Sequence, residues 1–442
     1  MTGRRLRYTR GAVAAFVHGR LPLRSIRRYL IDHLGPGLIT GAADDDPSGI
    51  ATYSQAGAQF GFGMLWSVLL TTPLMVGIQV VSARIGRVSG NGIAANLREH
   101  YPRPLLIFVV TLLLVANTLN IAADIGAMGE ALRLLIGGSA HIYTILFGVA
   151  VVLMQWLLPY QRLAPVLKWL TLSLFAYVAV LFTVQIPWGE VVLATLIPPV
   201  QLNANYLMLL VAVLGTTISP YLFFWQASQE VEEQRARKGE VALRDAPEQA
   251  PRQLRRIKVD TWVGMVFSNG IAFCIMLTAA VTLNRAGITD IQTSAQAAEA
   301  LRPLAGELGF VLFAMGILGT GLLAVPVLAG SAAYAVAESM RWPIGHALKP
   351  LEARGFYGII AVATLLGVAI DFLPIDPIKA LYWAAIVNGV VSVPIMAVMM
   401  RMAVKPQIMG SFTIGKRLQR LGWIATGFMA VAVAAMLVAL VA

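Results

Sequence analysis

Long apolar runs, separated by short polar segments, dominate this chain of 442 residues. A helix rises 1.5 Å per residue, so about 20 consecutive apolar residues cross the hydrocarbon core of a membrane. The pattern therefore predicts an all-α integral membrane protein with about 11 transmembrane helices. The predicted spans are 34–57, 61–83, 105–123, 142–158, 166–186, 206–228, 260–283, 307–337, 357–373, 380–400 and 421–441.

Two of these spans are interrupted near their middle by polar residues and a proline. The first carries Asp44, Asp45 and Asp46 directly before Pro47, and the sixth carries the stretch "GTTISPY", which ends at Tyr221. Proline removes a backbone donor, so we expect both helices to break near the membrane midplane. Interruptions at matching positions of the first and sixth spans indicate a transporter built from two inverted repeats of five helices each.

These breaks determine the predicted organisation of the chain. A basic N-terminal segment, 1–33, precedes a single transmembrane domain, 34–442. The segment 229–259 mixes both charge signs, and we expect a solvated cytoplasmic connector there, with a gating role as the alternative. The domain is expected to contain a first repeat at 34–186, a second repeat at 206–400 and one extra helix at 421–441.

Basic residues are distributed unevenly among the predicted loops. With the N-terminus inside, the outer segments contain only four of the 34 Lys and Arg residues, namely Arg133, Arg285, Arg302 and Lys379. Positive residues are retained on the cytoplasmic side, so we expect a cytoplasmic N-terminus, an external C-terminus and a location in a bacterial inner membrane. The net charge of +12 then reflects membrane topology, and no nucleic-acid partner is expected.

Composition excludes several classes of site. Hydrophobic residues make up 58% of the chain and charged residues only 13%, which is far from the composition of soluble proteins. Cys274 is the only cysteine, and the five histidines lie at span ends or in loops, so neither a thiolate cluster nor a midplane imidazole site is expected. No phosphate-cradling or dinucleotide-binding fingerprint occurs. We therefore expect no cofactor and no enzyme.

The three aspartates carry the most chemical information. Each carboxylate costs about 2.5–3.5 kcal/mol at the centre of a membrane, so we expect them to face a cavity that holds water or an ion. With the hydroxyl groups of Ser48, Thr217 and Ser219, they would form a cation site of hard oxygen donors. Successive residues of an unwound segment point in different directions, so we expect only one or two of the carboxylates to contact the ion. Asp46 is the first choice among them.

Three motifs, "GPG…DPSG", "GTTISPY" and "AADIGAMGEAL", make the chain similar to the Nramp divalent-metal transporters and their magnesium-transporting relatives. The resemblance implies the LeuT fold. It also implies that Asp46 binds metal and that Ala43 and Thr216 donate carbonyl oxygens. The remaining ligands of the family are replaced: its asparagine falls on Gly49, its methionine on Ser219 and its histidine on Tyr221.

These replacements change the expected substrate. Without the thioether, the site loses the soft ligand that favours manganese, iron and cadmium, and Ser219 offers only a hard oxygen. Magnesium keeps several of its waters, so a roomier site without sulfur fits hydrated Mg²⁺ as well as Mn²⁺. Proton coupling is expected to be weak or absent, because Asp124 matches an acidic residue of the family but Ala127 stands in place of its glutamate. Asn388 aligns with a polar position that lines the ion pathway in the family, and an interhelical hydrogen bond is the alternative role for its side chain.

Other functions stay open at this stage. A symporter of an organic solute with the same fold would contain the same helix breaks. An intramembrane aspartyl protease would need two aspartates on separate helices, for which Asp46 and Asp124 are available. A non-transporting metal sensor would bind the ion without flux. The expected partners are a metal-ion substrate and the lipid bilayer, and the oligomeric state is open, with a monomer compatible.

Overall fold

The computed structural model describes residues 35–157, 174–374 and 376–441. The predicted segment 1–33 and much of the predicted span 166–186 lie outside these residues. The described helices are α1 Pro36–Asp44, α2 Pro47–Phe60, α3 Leu65–Ser89, α4 Ile93–His100, α5 Arg103–Ile136, α6 Ala140–Leu157, α7 Phe175–Val180, α8 Trp188–Leu196, α9 Ala204–Thr217, α10 Pro220–Ala236, α11 Ala250–Ala279, α12 Ser294–Ala298, α13 Arg302–Ala305, α14 Gly309–Met340, α15 Arg354–Ile370, α16 Pro377–Met402, α17 Pro406–Met409 and α18 Lys416–Val441.

Helical structure covers every predicted span that falls within the described residues. Eight stretches there are long and apolar enough to cross a membrane, and α15 is a shorter apolar helix. One of the eight, Pro47–Ser89, contains both α2 and α3, which a 3-10 turn at Gly61–Met64 joins. The third span is longer than predicted, because α5 continues beyond Asp124 to Ile136. Asp124 interrupts the apolar run in the sequence but is buried inside the protein.

The first and sixth predicted spans are each divided into two helices by a two-residue break. Asp45 and Asp46 separate α1 from α2, and Ile218 and Ser219 separate α9 from α10. In both cases the second residue is extended and precedes a proline that begins the next helix. A residue before proline avoids the helical region, whereas proline itself fits the first position of a helix. The same local chemistry therefore produces both breaks.

The helices pack in two groups. In one, α5 contacts α6, α14 and α15, and in the other, α11 contacts α1, α2 and α3 while α10 packs on α3. The broken helix α9/α10 lies between α3 and α16, and α18 covers α3, α9 and α16. Small residues permit the closest approach: a Cβ added to Gly41 of α1 would lie 2.3 Å from the carbonyl oxygen of Gly264 on α11.

The loops at each end of the bundle are joined to one another. Segment 90–102 lies beside the end of α14, since the Ala95 N–H donates to Glu338, and segment 237–249 pairs with the end of α3 through Leu243. We call this end, with 341–353, the basic face. The opposite end, with Gly61–Met64 and 285–308, is the one predicted to be external, and it is called the outer face.

The segment 229–259 is mostly helical, and the loop between its two helices is shorter than the predicted connector. Helix α10 continues to Ala236 and α11 begins at Ala250. Glu230 and Arg256 are both buried and form an ion pair. The charges avoid the cost of burial by pairing between the two helices, which a single segment of sequence cannot reveal.

Candidate metal site between the two helix breaks

Asp46 is the centre of the polar contacts at the first break. One carboxylate oxygen, Oδ1, accepts the backbone N–H of Gly49 at 2.7 Å and the hydroxyl of Ser48 at 2.6 Å. Asp46 is thus the N-cap of α2, where an acidic side chain satisfies free backbone donors and interacts favourably with the helix dipole. The cap fixes the position of the carboxylate and leaves its other oxygen, Oδ2, directed away from α2.

The second break reaches this oxygen through Tyr221. The Tyr221 hydroxyl donates to the Ala43 carbonyl oxygen at 3.0 Å and lies 3.3 Å from Asp46 Oδ2. Three of the residues that the resemblance predicts as site residues therefore meet at one point. A hydroxyl donor lies between two oxygen acceptors, which is the position from which a cation would be bound by both.

The described structure adds Asn120 to this group. Its side-chain amide donates to Asp46 Oδ2 at 3.0 Å, and its own carbonyl oxygen accepts the amide of Asn388 at 3.2 Å. Sequence reasoning included Asn388 but missed Asn120. The missed signal is its spacing, because Asn120 lies one helical turn before Asp124 on α5, on the same face of the helix.

Asp124 also faces the first break. Its carboxylate interacts electrostatically with Asp46 and with the backbone N–H of Ser48, yet both oxygens are buried without a hydrogen bond of normal geometry. A buried carboxylate with free acceptor capacity is a place where a cation or a proton is stabilised. Asp124, which was predicted as a possible residue of the ion pathway, therefore lies beside the Asp46 site.

Asp44 and Asp45 point to a different helix. Their carboxylates share the hydroxyl of Ser268 on α11, at 2.6 Å from Asp44 Oδ2 and 3.1 Å from Asp45 Oδ1. One oxygen of each is buried without a partner. The three aspartates thus divide into Asp46 on the side of α5 and α10, and its two neighbours on the side of α11.

Apart from Tyr221, the polar residues of the sixth span bond within that span or lack a hydrogen bond. The Ser219 hydroxyl donates to the carbonyl oxygens of Gly215 and Thr216, at 2.7 and 2.9 Å. The Thr217 hydroxyl donates to Val213 and therefore turns back along its own helix. The Thr216 hydroxyl is buried without a hydrogen bond and lies across from the first break.

Gly49 allows this close approach between the two breaks. A Cβ at Gly49 would lie 3.3 Å from Thr216 Oγ1 and 3.5 Å from the Asp44 carbonyl oxygen. The asparagine of the resembling family would not fit here without displacing a neighbour. Glycine therefore permits a close contact between the two broken helices, and Thr216 lies where the missing side chain was expected to leave room for water.

Every atom proposed as a metal ligand at this site is an oxygen. Within the described residues no three side chains of His, Cys, Asp or Glu converge into a metal cluster. The candidate site depends instead on the Asp46 carboxylate together with carbonyl and hydroxyl oxygens. Helices α1 and α9 both end at the two breaks, and the negative ends of their dipoles favour a cation there. The role of these residues as metal ligands stays a prediction.

A cavity of about 430 Å³ opens above the site on the outer face. It is lined by Gln55 and Gln59 of α2, by Asp290, by Lys379 and by Ala51. Ala51 lies five residues beyond Asp46, which is about 8 Å along the helix. Asp46 itself is only 1% exposed. About one and a half turns of α2 therefore separate the site from this cavity.

At the basic face, a residue of α11 fixes the start of α1. The Asp260 carboxylate on α11 accepts the backbone N–H groups of Gly35, Gly37 and Leu38, at 2.9, 2.7 and 3.0 Å. Asp260 in turn lies 4.0 Å from Arg256. One buried carboxylate therefore caps the start of α1 and holds it against α11.

Comparison with known proteins assigns this architecture. The family model described as "Natural resistance-associated macrophage protein-like", or Nramp, matches residues 37–439. The chain belongs to the Nramp family. A curated relative, the divalent metal cation transporter MntH of Klebsiella pneumoniae (strain 342), is 28% identical over 304 residues, which cover 68% of this chain and 70% of the relative.

Solved structures support the predicted LeuT-like fold of this Nramp chain. The Eremococcus coleocola manganese transporter, in complex with an aromatic bis-isothiourea substituted compound, superposes with a TM-score of 0.70 at 16% identity, over 94% of this chain and 89% of that one. Mhp1, a nucleobase-cation-symport-1 family transporter in a closed conformation, superposes with a TM-score of 0.55 at 13% identity, over 92% of each chain. The fold prediction is confirmed.

Proposed function

We propose that this Nramp-family protein carries a divalent metal cation, Mg²⁺ or Mn²⁺, into the cytoplasm by alternating access. The observation that carries the proposal is the convergence of Asp46 Oδ2, the Ala43 carbonyl oxygen and the Tyr221 hydroxyl between two broken helices. Family membership makes the chain a transporter and not an enzyme, which excludes the protease alternative. The proposed location is a bacterial inner membrane with the N-terminus inside.

The chemistry of the donors favours a hard, hydrated ion. Ser219 stands where the family has a thioether, and its hydroxyl is already bonded to backbone carbonyls. Oxygen donors suit Mg²⁺ and Mn²⁺ and give no special affinity for soft metals. Mg²⁺ dehydrates reluctantly, so we propose that it binds with part of its water shell, which would displace the Tyr221 hydroxyl from between the two acceptors.

We propose that transport is driven by membrane potential and is coupled to protons weakly or not at all. Asp124 is present, but Ala127 and Tyr221 replace the protonatable residues of the family, and the only basic residue of α15 is Arg354, at its first position. Two positive charges that move inward through about 100 mV release about 4.6 kcal/mol. That energy suffices to concentrate the ion without a proton gradient.

The test uses the full-length protein in liposomes under an inside-negative potential. Internal dyes follow Mg²⁺ and Mn²⁺ entry while internal pH is recorded in parallel. We expect entry by the wild type, loss of more than about 90% of the rate in Asp46→Ala, and no change in pH, since the variant removes the carboxylate whose oxygen lies at the point of convergence. Asp245→Ala, which removes an exposed carboxylate, is the matched control and should transport normally.

Two alternatives are separated by the same preparation. A metal sensor would bind Mg²⁺, measured by calorimetry, without any entry. A symporter of an organic solute would show uptake of the solute but not of the metal. Either result from folded protein would refute metal transport.

A further inference from the structure

A second polar cavity, of about 390 Å³, lies on the basic face. It is formed by α4, the end of α10 and the segment that follows α14. Arg98, Arg235 and Arg341 all line it. Arg235 lies fourteen residues beyond Tyr221, about 21 Å along α10, so the cavity is separate from the candidate metal site.

Two of the three guanidinium groups are available to a ligand. Within the part of the chain that the structure describes, neither Arg235 nor Arg341 belongs to a salt bridge. Arg98 donates to Glu99 at 3.1 Å and to the Glu338 carbonyl oxygen, but its Nε–H is buried without a hydrogen-bond partner. The cavity therefore offers donors that other groups of the protein do not satisfy.

The carboxylate at this cavity is already committed. Glu338 accepts the backbone N–H of Ala95 and the hydroxyl of Ser228, each at 3.0 Å. Its interaction with Arg235 is electrostatic, without a direct ion pair, and the same holds for Glu232, which accepts the Tyr334 hydroxyl and the His346 N–H. Positive charge therefore exceeds negative charge on the open side of the cavity.

Arg341 occupies a backbone conformation that disfavours it. Its φ of 59° places it in the left-handed region at the end of α14, and among the described residues it is the only non-glycine with a positive φ. Glycine is the usual residue at such a position because it has no Cβ. An arginine that carries this strain is explained if its guanidinium group binds a ligand in the neighbouring cavity.

We propose that this cavity binds a phosphate group through Arg235 and Arg341, with Arg98 at its base. The guanidinium fork matches phosphate oxygens in geometry and charge. The face is predicted to be cytoplasmic, where membranes present anionic headgroups. Trp342 lines the cavity and is 41% exposed, next to Met340 at 61%, so apolar and basic groups meet as they do at a membrane surface.

A phosphate group bound in this cavity would connect the two groups of helices. Arg235 belongs to α10, the second half of a broken helix, whereas Arg341 follows α14 in the other group of helices. A phosphate group held by both would link the two groups at the basic face. It would thereby stabilise the arrangement of the two groups in this structure.

The experiment measures thermal unfolding of the full-length protein in neutral detergent, and it does not depend on metal transport. Phosphatidylglycerol is added in one arm, phosphatidylcholine in a second, and inorganic phosphate against chloride of equal ionic strength in a third. We expect an anionic phosphate group to raise the unfolding temperature by roughly 2 °C or more, because a ligand that binds the folded state stabilises it.

The decisive variants are Arg341→Gly and Arg235→Gln. Arg341→Gly removes the guanidinium group and relieves the left-handed strain, so a lost response cannot be attributed to poor folding. Arg417→Gln removes an exposed charge at the start of α18, away from the cavity, and should respond like wild type. A shift with phosphatidylglycerol alone assigns a lipid headgroup, and an equal shift with inorganic phosphate assigns a soluble phosphate compound. The proposal fails if no phosphate shifts the wild type, or if Arg341→Gly responds as the wild type does.

Discussion

The Asn120 amide donates a hydrogen bond of 3.0 Å to the Asp46 carboxylate, and this bond joins two groups of helices. Asn120 belongs to α5, which packs with α14 and α15, whereas Asp46 lies at the break between α1 and α2, which pack on α11. The contact is buried and lies at the point where Tyr221 also reaches the carboxylate. Any movement of α1 and α2 relative to α5 must therefore change the surroundings of Asp46.

We predict that Asn120→Ala weakens metal uptake without abolishing it. The amide orients the carboxylate, and loss of an orienting partner typically costs about 10- to 100-fold in metal affinity. Asn388→Ala should weaken uptake less, because Asn388 contacts Asn120 and not Asp46 itself. The measurement is the concentration dependence of Mg²⁺ entry into liposomes. Asn117→Ala is the control, since Asn117 lies on the same helix and bonds only to α14. If Asn117→Ala weakens Mg²⁺ uptake as much as Asn120→Ala does, the Asn120 amide does not act by orienting Asp46.

Ser219→Cys is predicted to change the metal preference of the site. A thiol has nearly the size of the hydroxyl but is a soft ligand, which favours Cd²⁺ over Mg²⁺. We expect Cd²⁺ to inhibit Mg²⁺ entry at a concentration about tenfold lower than in the wild type. Thr217→Cys is the matched control, because Thr217 lies inside α9 and its hydroxyl bonds one turn back to Val213 and Leu214, whereas Ser219 lies in the break itself. If Thr217→Cys gains the same sensitivity, Ser219 does not face the ion.

Asp260→Asn should loosen the start of α1. Three backbone N–H groups lose a charged acceptor, and a hydrogen bond to a charged group contributes about 1.5–3 kcal/mol. We expect a loss of this size in the free energy of unfolding and faster deuterium exchange at Gly37 and Leu38. Exchange measured by mass spectrometry checks this, with the exposed Asp245→Asn as control. Unchanged exchange in α1 would show that another contact holds it.

Stability should fall in acid because of His346. Aromatic rings surround this side chain, and its burial lowers its pKa from 6.5 to about 4. The unfolded chain binds a proton at His346 more readily than the folded protein does. The stabilisation of the folded state by neutral His346 is therefore complete above pH 6.5 and is lost as the pH falls towards 4. The loss reaches about 3 kcal/mol. Unfolding temperatures of the wild type and His346→Gln, measured from pH 7.5 to 4.5, should converge as the pH falls. Parallel curves would exclude His346 as the titrating group.

The amino-acid sequence by itself determined the class, the spans and the two breaks. Apolar runs of membrane length require helices, because backbone groups in lipid must be paired within their own segment. The dipeptides Asp46-Pro47 and Ser219-Pro220 interrupt those helices through local sterics alone. The motifs at these breaks also sufficed to predict the Nramp family, and the comparisons confirm it. Each of these features depends on neighbours in the chain.

Only the tertiary structure decided which polar groups meet. The three aspartates are consecutive, yet Asp46 bonds to Asn120 while Asp44 and Asp45 share Ser268, because the break turns the chain between them. Asp260 caps α1 from more than 220 positions away, a pairing that no local pattern encodes. Side-chain direction at an unwound segment, and contacts between distant helices, depend on packing. The helices and their breaks are therefore local properties of the sequence, whereas the site between them is a property of the fold.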